Sequence, residues 1–225
     1  MLNTGYLYGL ENNQLIDFQG HQLQSDTAQQ LMLMQTAAAK DNISLQICSA
    51  YRDLPRQLAI WNAKAKGQRA VLDARSQPID IRHLSEDQLI DAILLWSALP
   101  GTSRHHWGTD IDIYDAHQMS RKQLQLIPSE YQADGPCHAL HSWLTRYCGD
   151  FGFYFPFQAG LSGVSPEPWH LSYYPKANDY LAAFDPQSLA TILSQQPIAL
   201  KNAILARLEH LVSHYVFHVA PSPAG

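Results

Sequence analysis

Apolar residues recur at helical spacing over 26–41, DTAQQLMLMQTAAAKD, and predict an amphipathic helix begun by Ser25 or Asp26 and ended by Asn42. ISLQICSAY (43–51) alternates and is rich in strand formers, so it predicts a buried strand. After Leu54-Pro55, RQLAIWNAKAKG predicts a second helix closed by Gly67. LSEDQLIDAILLWSALPG (84–101) predicts a third, with Ser85 capping an acidic first turn and Pro100-Gly101 stopping it.

Further along, GTDIDIYDA (108–116) alternates polar and β-branched residues as a strand does. CHALHSWLTRYCGDFGF (137–153) predicts a helix with a glycine exit, and the Gly-, Ser- and Pro-rich 155–174 a loop feeding a short strand. From Asp185 to about Val219 the pattern is helical with a break near Pro197, and the tail APSPAG is expected to fray. Helices and strands alternate irregularly without a Gly-rich phosphate loop. That predicts an α+β fold rather than a doubly wound nucleotide-binding one.

Composition narrows the function. The chain has 225 residues, 46% hydrophobic and 16% charged, enough for one generous core. Its net charge of −5 with His neutral excludes the broad basic footprint of a nucleic-acid binder. No apolar run reaches the 18 or so residues of a membrane span. The first twenty residues lack the basic start and apolar core of a secretory signal, so a cytoplasmic protein is expected, or a periplasmic one if a leader has been removed. Cys48, Cys137 and Cys148 show no CxxC spacing, and free thiols are expected, with Cys48 in the core.

The densest chemistry lies in SRHHWGTDID (103–112). In a strand, Asp110, Asp112 and Tyr114 share one face while Ile111 and Ile113 share the other, so the isoleucines can face a core and the aspartates a cleft. His105, just before the turn at Gly108, can fold back beside such an aspartate, and imidazole plus carboxylate suits zinc. EPWH supplies Glu167 and His170 in a Pro-stiffened segment. A catalytic zinc takes three protein ligands, an open position for water, and a nearby carboxylate as base. His105, Asp112 and His170 make the three ligands and Glu167 the base, with Asp110 a rival ligand on the same face. Either motif alone reads as an ordinary polar turn; together they complete a set.

SRHHWGTDID resembles the S-x-H-x-x-G-x-A-x-D signature of the VanY-type D-alanyl-D-alanine carboxypeptidases, zinc peptidases that share a fold with the Hedgehog signalling domain. EPWH resembles the E-x-W-H that completes it, and SAYRDLPRQ (49–57) is similar to the family's S-G-Y-R-S-x-x-x-Q. These matches bracket 49–170. The resemblance implies a Hedgehog/DD-peptidase-like antiparallel sheet with flanking helices. It also implies one zinc ion on His105, Asp112 and His170, with Glu167 as general base and later acid. Arg52 would neutralise the substrate or the developing oxyanion, Ser103 would hold the C-terminal carboxylate, and Gln57 would lie beside the substrate. Trp169 would wall the pocket. The sequence departs from the signature at Asp110, where the family has Ala, and at Ala50, where it has Gly. The expected organisation is a carboxypeptidase core over 1–178 and a C-terminal helical extension, 179–225, packed on the same domain.

The expected activity is LD-carboxypeptidase removal of the C-terminal D-alanine from peptidoglycan stem tetrapeptides, the chemistry of muropeptide recycling. Its partners are stem peptides, with neither nucleic acid nor membrane. The alternatives are a DD-carboxypeptidase acting on D-Ala-D-Ala pentapeptides outside the membrane, a zinc-stabilised muropeptide-binding module, and a lysin-type endopeptidase with an open groove. His210, His214 and His218 form one helical stripe that could hold a metal but lacks the Glu of HExxH, and is expected to be a polar edge. His138 and His141 have a packing explanation, and Arg52 could instead pair with Asp53 or Glu130.

Overall fold

The computed structural model describes residues 4–223, so part of the tail expected to fray lies outside the described residues. A 3₁₀ turn, Gly5–Tyr8, precedes a hairpin of β1 (Leu15–Phe18) and β2 (His21–Gln24). Its turn residues, Gln19 and Gly20, have φ of 54° and 77°, the left-handed pair that lets a two-residue turn follow the twist of its strands. The hydrophobic pattern does not announce this hairpin, because only Leu23 and Gln24 among its strand residues are buried. β2 runs directly into α1 (Ser25–Lys40), and the Gln24 side chain accepts from the Thr27 N–H. The cap is therefore Gln24, and Ser25 and Asp26 lie inside the first turn. Asn42 follows the helix with φ 60°.

Next come β3 (Leu45–Ser49) and α2 (Leu54–Ala65), the latter capped by Asp53 accepting from the Arg56 N–H. α3 (Glu86–Leu94) opens with the Ser85–Gln88 capping box but ends well before the expected residue 101. The reason is tertiary: the Trp96 indole donates to the Asp73 carbonyl (2.8 Å) and its ring stacks on Trp169. β4 (Asp110–Asp115) precedes α4 (His138–Tyr147). The helix expected over 137–153 gives way at Cys148–Phe151 to a 3₁₀ turn, and Phe153 joins a strand. β5 (Phe153–Tyr154), β6 (His170–Tyr173) and α5 (Tyr174–Ala182) lead into α6 (Pro186–Gln195), α7 (Lys201–Ala206) and α8 (Leu208–Val212). A π-helical turn, Ser213–Phe217, ends the helical part.

Four strands form one antiparallel sheet in the order β3-β4-β6-β5. Asp112 pairs with His170 and Asp110 with Ser172, and the β3–β4 register shifts between Ile47 and Ser49. One face of the sheet buries Ile47, Ile111, Ile113 and Leu171 against Leu31 and Met34 of α1 and Leu140 and Leu144 of α4. Each such side chain contributes about 1.5–3 kcal/mol on leaving water. The strand period of two sends Asp110, Asp112, His170 and Ser172 to the opposite face.

A second core joins Leu58 and Trp61 of α2 and Ile90 and Ile93 of α3 to Leu189, Leu193, Leu208 and Leu211 of the C-terminal helices. α5 runs through residue 178 unbroken. Cys48, Cys137 and Cys148 are buried and free.

Candidate active site

Gly108 lets the chain turn from the 3₁₀ turn Arg104–Trp107 into β4. Its φ is 69°, and an added Cβ would lie 2.5 Å from Leu15 Cδ2. The reversal folds His105 over Asp112, while sheet register brings His170 beside the same aspartate. Asp112 Oδ2 is 3.3 Å from His105 Nε2, and Asp112 Oδ1 is 3.1 Å from His170 Nδ1.

The far side of each imidazole sets its tautomer. His105 Nδ1 lies 3.2 Å from the Asp110 carbonyl, which only accepts, so Nδ1 carries the proton and Nε2 presents a lone pair. His170 Nε2 lies 3.0 Å from Asp110 Oδ1 and is a donor by the same logic, leaving its Nδ1 lone pair facing Asp112. Asp112 Oδ1 is buried and has no hydrogen-bond donor. Lone pairs therefore converge on one point and repel unless a cation stands between them. A tetrahedral zinc with bonds of about 2.0–2.1 Å has ligand atoms about 3.3 Å apart, so these residues fit the ion. Ligand atoms of His105, Asp112 and His170 all lie within 4.8 Å of one another, and no other such trio occurs among the described residues.

Without a metal, protons relieve the repulsion. Burial alone disfavours a charged His170, but the surrounding carboxylates of Asp110, Asp112 and Glu167 outweigh it and raise its pKa well above the usual value. Burial pushes the Asp112 carboxyl up, and the neighbouring His105 and His170 overcome this and hold it far below the ordinary range.

Asp110 stands outside the trio. Its Oδ1 accepts from Arg104 Nε (2.7 Å) and from His170, and its Oδ2 accepts from the hydroxyls of Thr109 (2.7 Å) and Ser172 (3.1 Å). Arg104 also donates to Ser172 and lies over the Trp107 ring. Both Asp110 oxygens are thus engaged, which sets it apart from Asp112 on the same strand face. It holds the His170 imidazole from behind, the kind of support that metal-bound histidines generally receive.

Glu167 Oε2 lies 3.4 Å from His170 Nδ1, with its side chain 12% exposed. Arg52 donates to Gln57 Oε1 (2.8 Å) and Ser49 Oγ (3.2 Å) and makes no ion pair among the described residues. Pairing with Asp53 or Glu130 is thereby set aside, since Asp53 caps α2 and Glu130 accepts from the Gln125 and Ile127 N–H groups. Gln57 is fully buried, and its amide nitrogen donates to the Ala98 carbonyl (2.7 Å). It lies behind Arg52 and does not line the cavity. His106 ties the same loop down, its Nδ1 donating to the Arg52 carbonyl and its Nε2 accepting from the Gly101 N–H. Burial lowers its pKa to about 3 and keeps it neutral.

These groups open onto a cavity of about 240 Å³ lined by Arg52, Ser103, His105, Asp112, Glu167, Trp169 and His170. The Ser103 hydroxyl has no partner among the described residues. Trp107 faces the core, fully buried, its indole donating to the Leu7 carbonyl. The cavity also takes in residues the motifs do not reach: Lys64 and Arg69, and Tyr215 and Val216 of the C-terminal segment. Lys64 carries a sequence signal, standing at helical spacing from Trp61 and Gln57 on the buried face of α2. Beyond Phe157 and Glu167 lies a more open, apolar hollow of about 440 Å³ that includes His138 and His141. His210, His214 and His218 are exposed, with successive rings 6.0 and 5.7 Å apart.

The family described as VanY, D-alanyl-D-alanine carboxypeptidase, matches residues 20–176. A Haemophilus influenzae protein described only as uncharacterized is 36% identical over 121 residues, 52% of this chain and 92% of that one. A D-alanyl-D-alanine carboxypeptidase of Enterococcus faecalis is 27% identical over 143 residues, 61% of this chain and 42% of that one. Among solved structures, VanYB in complex with D-alanine-D-alanine gives a TM-score of 0.54 at 21% identity, covering 81% of this chain and 88% of that one. The LdcB LD-carboxypeptidase gives 0.52 at 19%, covering 91% and 79%. Among the described residues no helix is long and apolar enough to cross a membrane. The structural likenesses establish the fold and the sequence match the descent: the chain belongs to the VanY family of D-alanyl-D-alanine carboxypeptidases.

Proposed function

We propose that this enzyme is a zinc-dependent LD-carboxypeptidase that removes the C-terminal D-alanine from peptidoglycan stem tetrapeptides. The observation that carries the reading is the convergence of the His105 and His170 lone pairs on Asp112, with Glu167 Oε2 3.4 Å from His170 Nδ1. A structural zinc site is closed by protein ligands and needs no adjoining base, whereas this one keeps three ligands and a carboxylate.

His105, Asp112 and His170 would hold the zinc, which when bound polarises the scissile carbonyl and acidifies water. Glu167 takes a proton from the attacking water and passes it to the leaving amine as the C–N bond breaks and the C–O bond forms. Arg52, oriented by Gln57 and Ser49, stabilises the negative charge on the carbonyl oxygen; one well-placed donor is typically worth about 3 kcal/mol. The Ser103 hydroxyl donates to the C-terminal carboxylate, and Trp169 walls the pocket. Tyr215 and Val216 line the cavity, which supports a closed-ended exopeptidase site over an open endopeptidase groove.

The size of the cavity favours the tetrapeptide. Its lining extends beyond the ligands to Ile60, Leu72 and Lys64. In a tetrapeptide the residue before the scissile bond is diaminopimelate, with a long side chain; in a pentapeptide it is D-alanine. A cytoplasmic recycling role goes with this substrate.

The test is mass spectrometry of the protein, with and without a chelator, on a tetrapeptide ending in meso-diaminopimelate–D-Ala and a pentapeptide ending in D-Ala–D-Ala. Chelator-sensitive loss of alanine from the tetrapeptide is expected. Loss from the pentapeptide alone makes it a DD-enzyme, and loss from neither with zinc bound makes it a binding module.

A further inference from the structure

Lys64 has no part in the reaction above. It sits in the last turn of α2, is 6% exposed, and lines the same cavity as the metal ligands. Among the described residues its ammonium has neither a hydrogen bond nor an ion pair. A lysine is almost never buried without a partner, because desolvating the charge is costly. Arg69 lines the cavity from an exposed position, adding a second positive charge.

Charge balance says what is missing. The cavity's anions, Asp112 and Glu167, are matched by the two charges of a divalent ion. Arg104 is matched by Asp110. Before the oxyanion develops, the peptide's terminal carboxylate, held by Ser103, offsets the charge of Arg52 in the net balance. Lys64 and Arg69 are left over, so the occupied site has room for one more anion. Lys64 also lies seven residues along α2 from Gln57, the residue that orients Arg52, so the two backbone positions are about 10 Å apart along the helix axis. Burial lowers the Lys64 pKa to about 8, which leaves it mostly charged at neutral pH.

We propose that Lys64, assisted by Arg69 at the rim, is a carboxylate seat for the side chain of the residue that precedes the scissile bond. The inference rests on the stem-peptide reading and narrows the substrate within it. Diaminopimelate ends its side chain in a carbon that bears both an ammonium and a carboxylate, and the seat takes the carboxylate. A lysine at that position would bring an ammonium with no carboxylate beside it.

The test compares wild type, Lys64→Met and Lys64→Arg on three tetrapeptides: one with meso-diaminopimelate before the terminal D-Ala, one with that side-chain carboxylate amidated, and one with L-lysine in its place. Lys64→Met is expected to lower kcat/KM about 30-fold on the first peptide, mainly through KM, as loss of a charged hydrogen bond does. It should change the other two less than about 3-fold, and Lys64→Arg should retain most activity on the first. A Lys64→Met penalty equal on all three overturns the proposal, since all three keep the terminal carboxylate. So does the absence of any penalty. If wild type cuts none of the three, the carboxypeptidase reading is what fails. Calorimetric titration of the same peptides into zinc-loaded wild type and Lys64→Met then decides the seat by the same comparison.

Discussion

His170 Nε2 lies 3.0 Å from Asp110 Oδ1, on the side of the ring opposite Asp112. The signature residue at position 110 is Ala, so this chain adds a charge behind the His170 imidazole and neutralises it with buried Arg104.

Asp110→Ala is therefore expected to weaken zinc binding about 10–100-fold, measured by competition with a chromogenic chelator. It should also destabilise the apo-protein by about 3–5 kcal/mol, because Arg104 is left buried and unpaired. Asp110→Ala/Arg104→Leu should recover much of the stability and none of the zinc affinity. An unchanged zinc Kd in both variants would show that Asp110 serves only to pair Arg104.

Glu167→Ala should bind zinc within a few-fold of wild type while turnover falls by about 10²–10⁴. Zinc content by atomic absorption and product by mass spectrometry read the two separately. Parallel loss of both would move Glu167 from the base to the ligand set.

Zinc at a thousand times its Kd should stabilise the fold by about 4 kcal/mol, visible as a raised Tm that a chelator reverses. His105→Ala or Asp112→Ala should abolish the shift. His210→Ala/His214→Ala should leave it intact, since those rings are exposed and converge on no carboxylate. A shift lost in the double variant would relocate the metal to the C-terminal stripe.

The Lys64 pKa is lowered by burial from 10.5 to about 8. Between those values the unfolded chain holds the proton more tightly, so this residue's contribution to stability improves as pH rises from about 8 to 10.5. Below 8 the burial penalty is at its full size, on the order of 3 kcal/mol. Lys64→Met should therefore stabilise the apo-protein at pH 7, and its advantage should shrink by pH 10. Urea unfolding at the two pH values measures it, and an advantage of equal size at both would mean that the ammonium is not the source.

Much was legible in advance because it depends on local repetition. Strand period two separated Ile111 and Ile113 from Asp110 and Asp112, and the Ser85–Gln88 box fixed the start of α3. Motif order alone nominated His105, Asp112, His170 and Glu167, since ligand chemistry restricts which residue types a zinc site employs. Element ends were less legible: α3 stops at Leu94 because Trp96 finds Asp73 and Trp169, partners more than 20 and 70 residues away in the chain.

Sequence by itself nominated the side chains able to carry chemistry and determined the face of β4 they share. Only the tertiary structure decided their roles. Asp110 and Asp112 share one strand face two residues apart, and nothing local separates a ligand from the carboxylate behind a ligand. The distinction arises where β6 places His170 between them and Arg104 claims Asp110. Gln57 likewise sits behind Arg52 and not on the cavity because Ala98 draws its amide inward. The buried charge on Lys64 exists only once the rest of the chain packs around α2, for burial is a property of the assembled core and not of any segment within it.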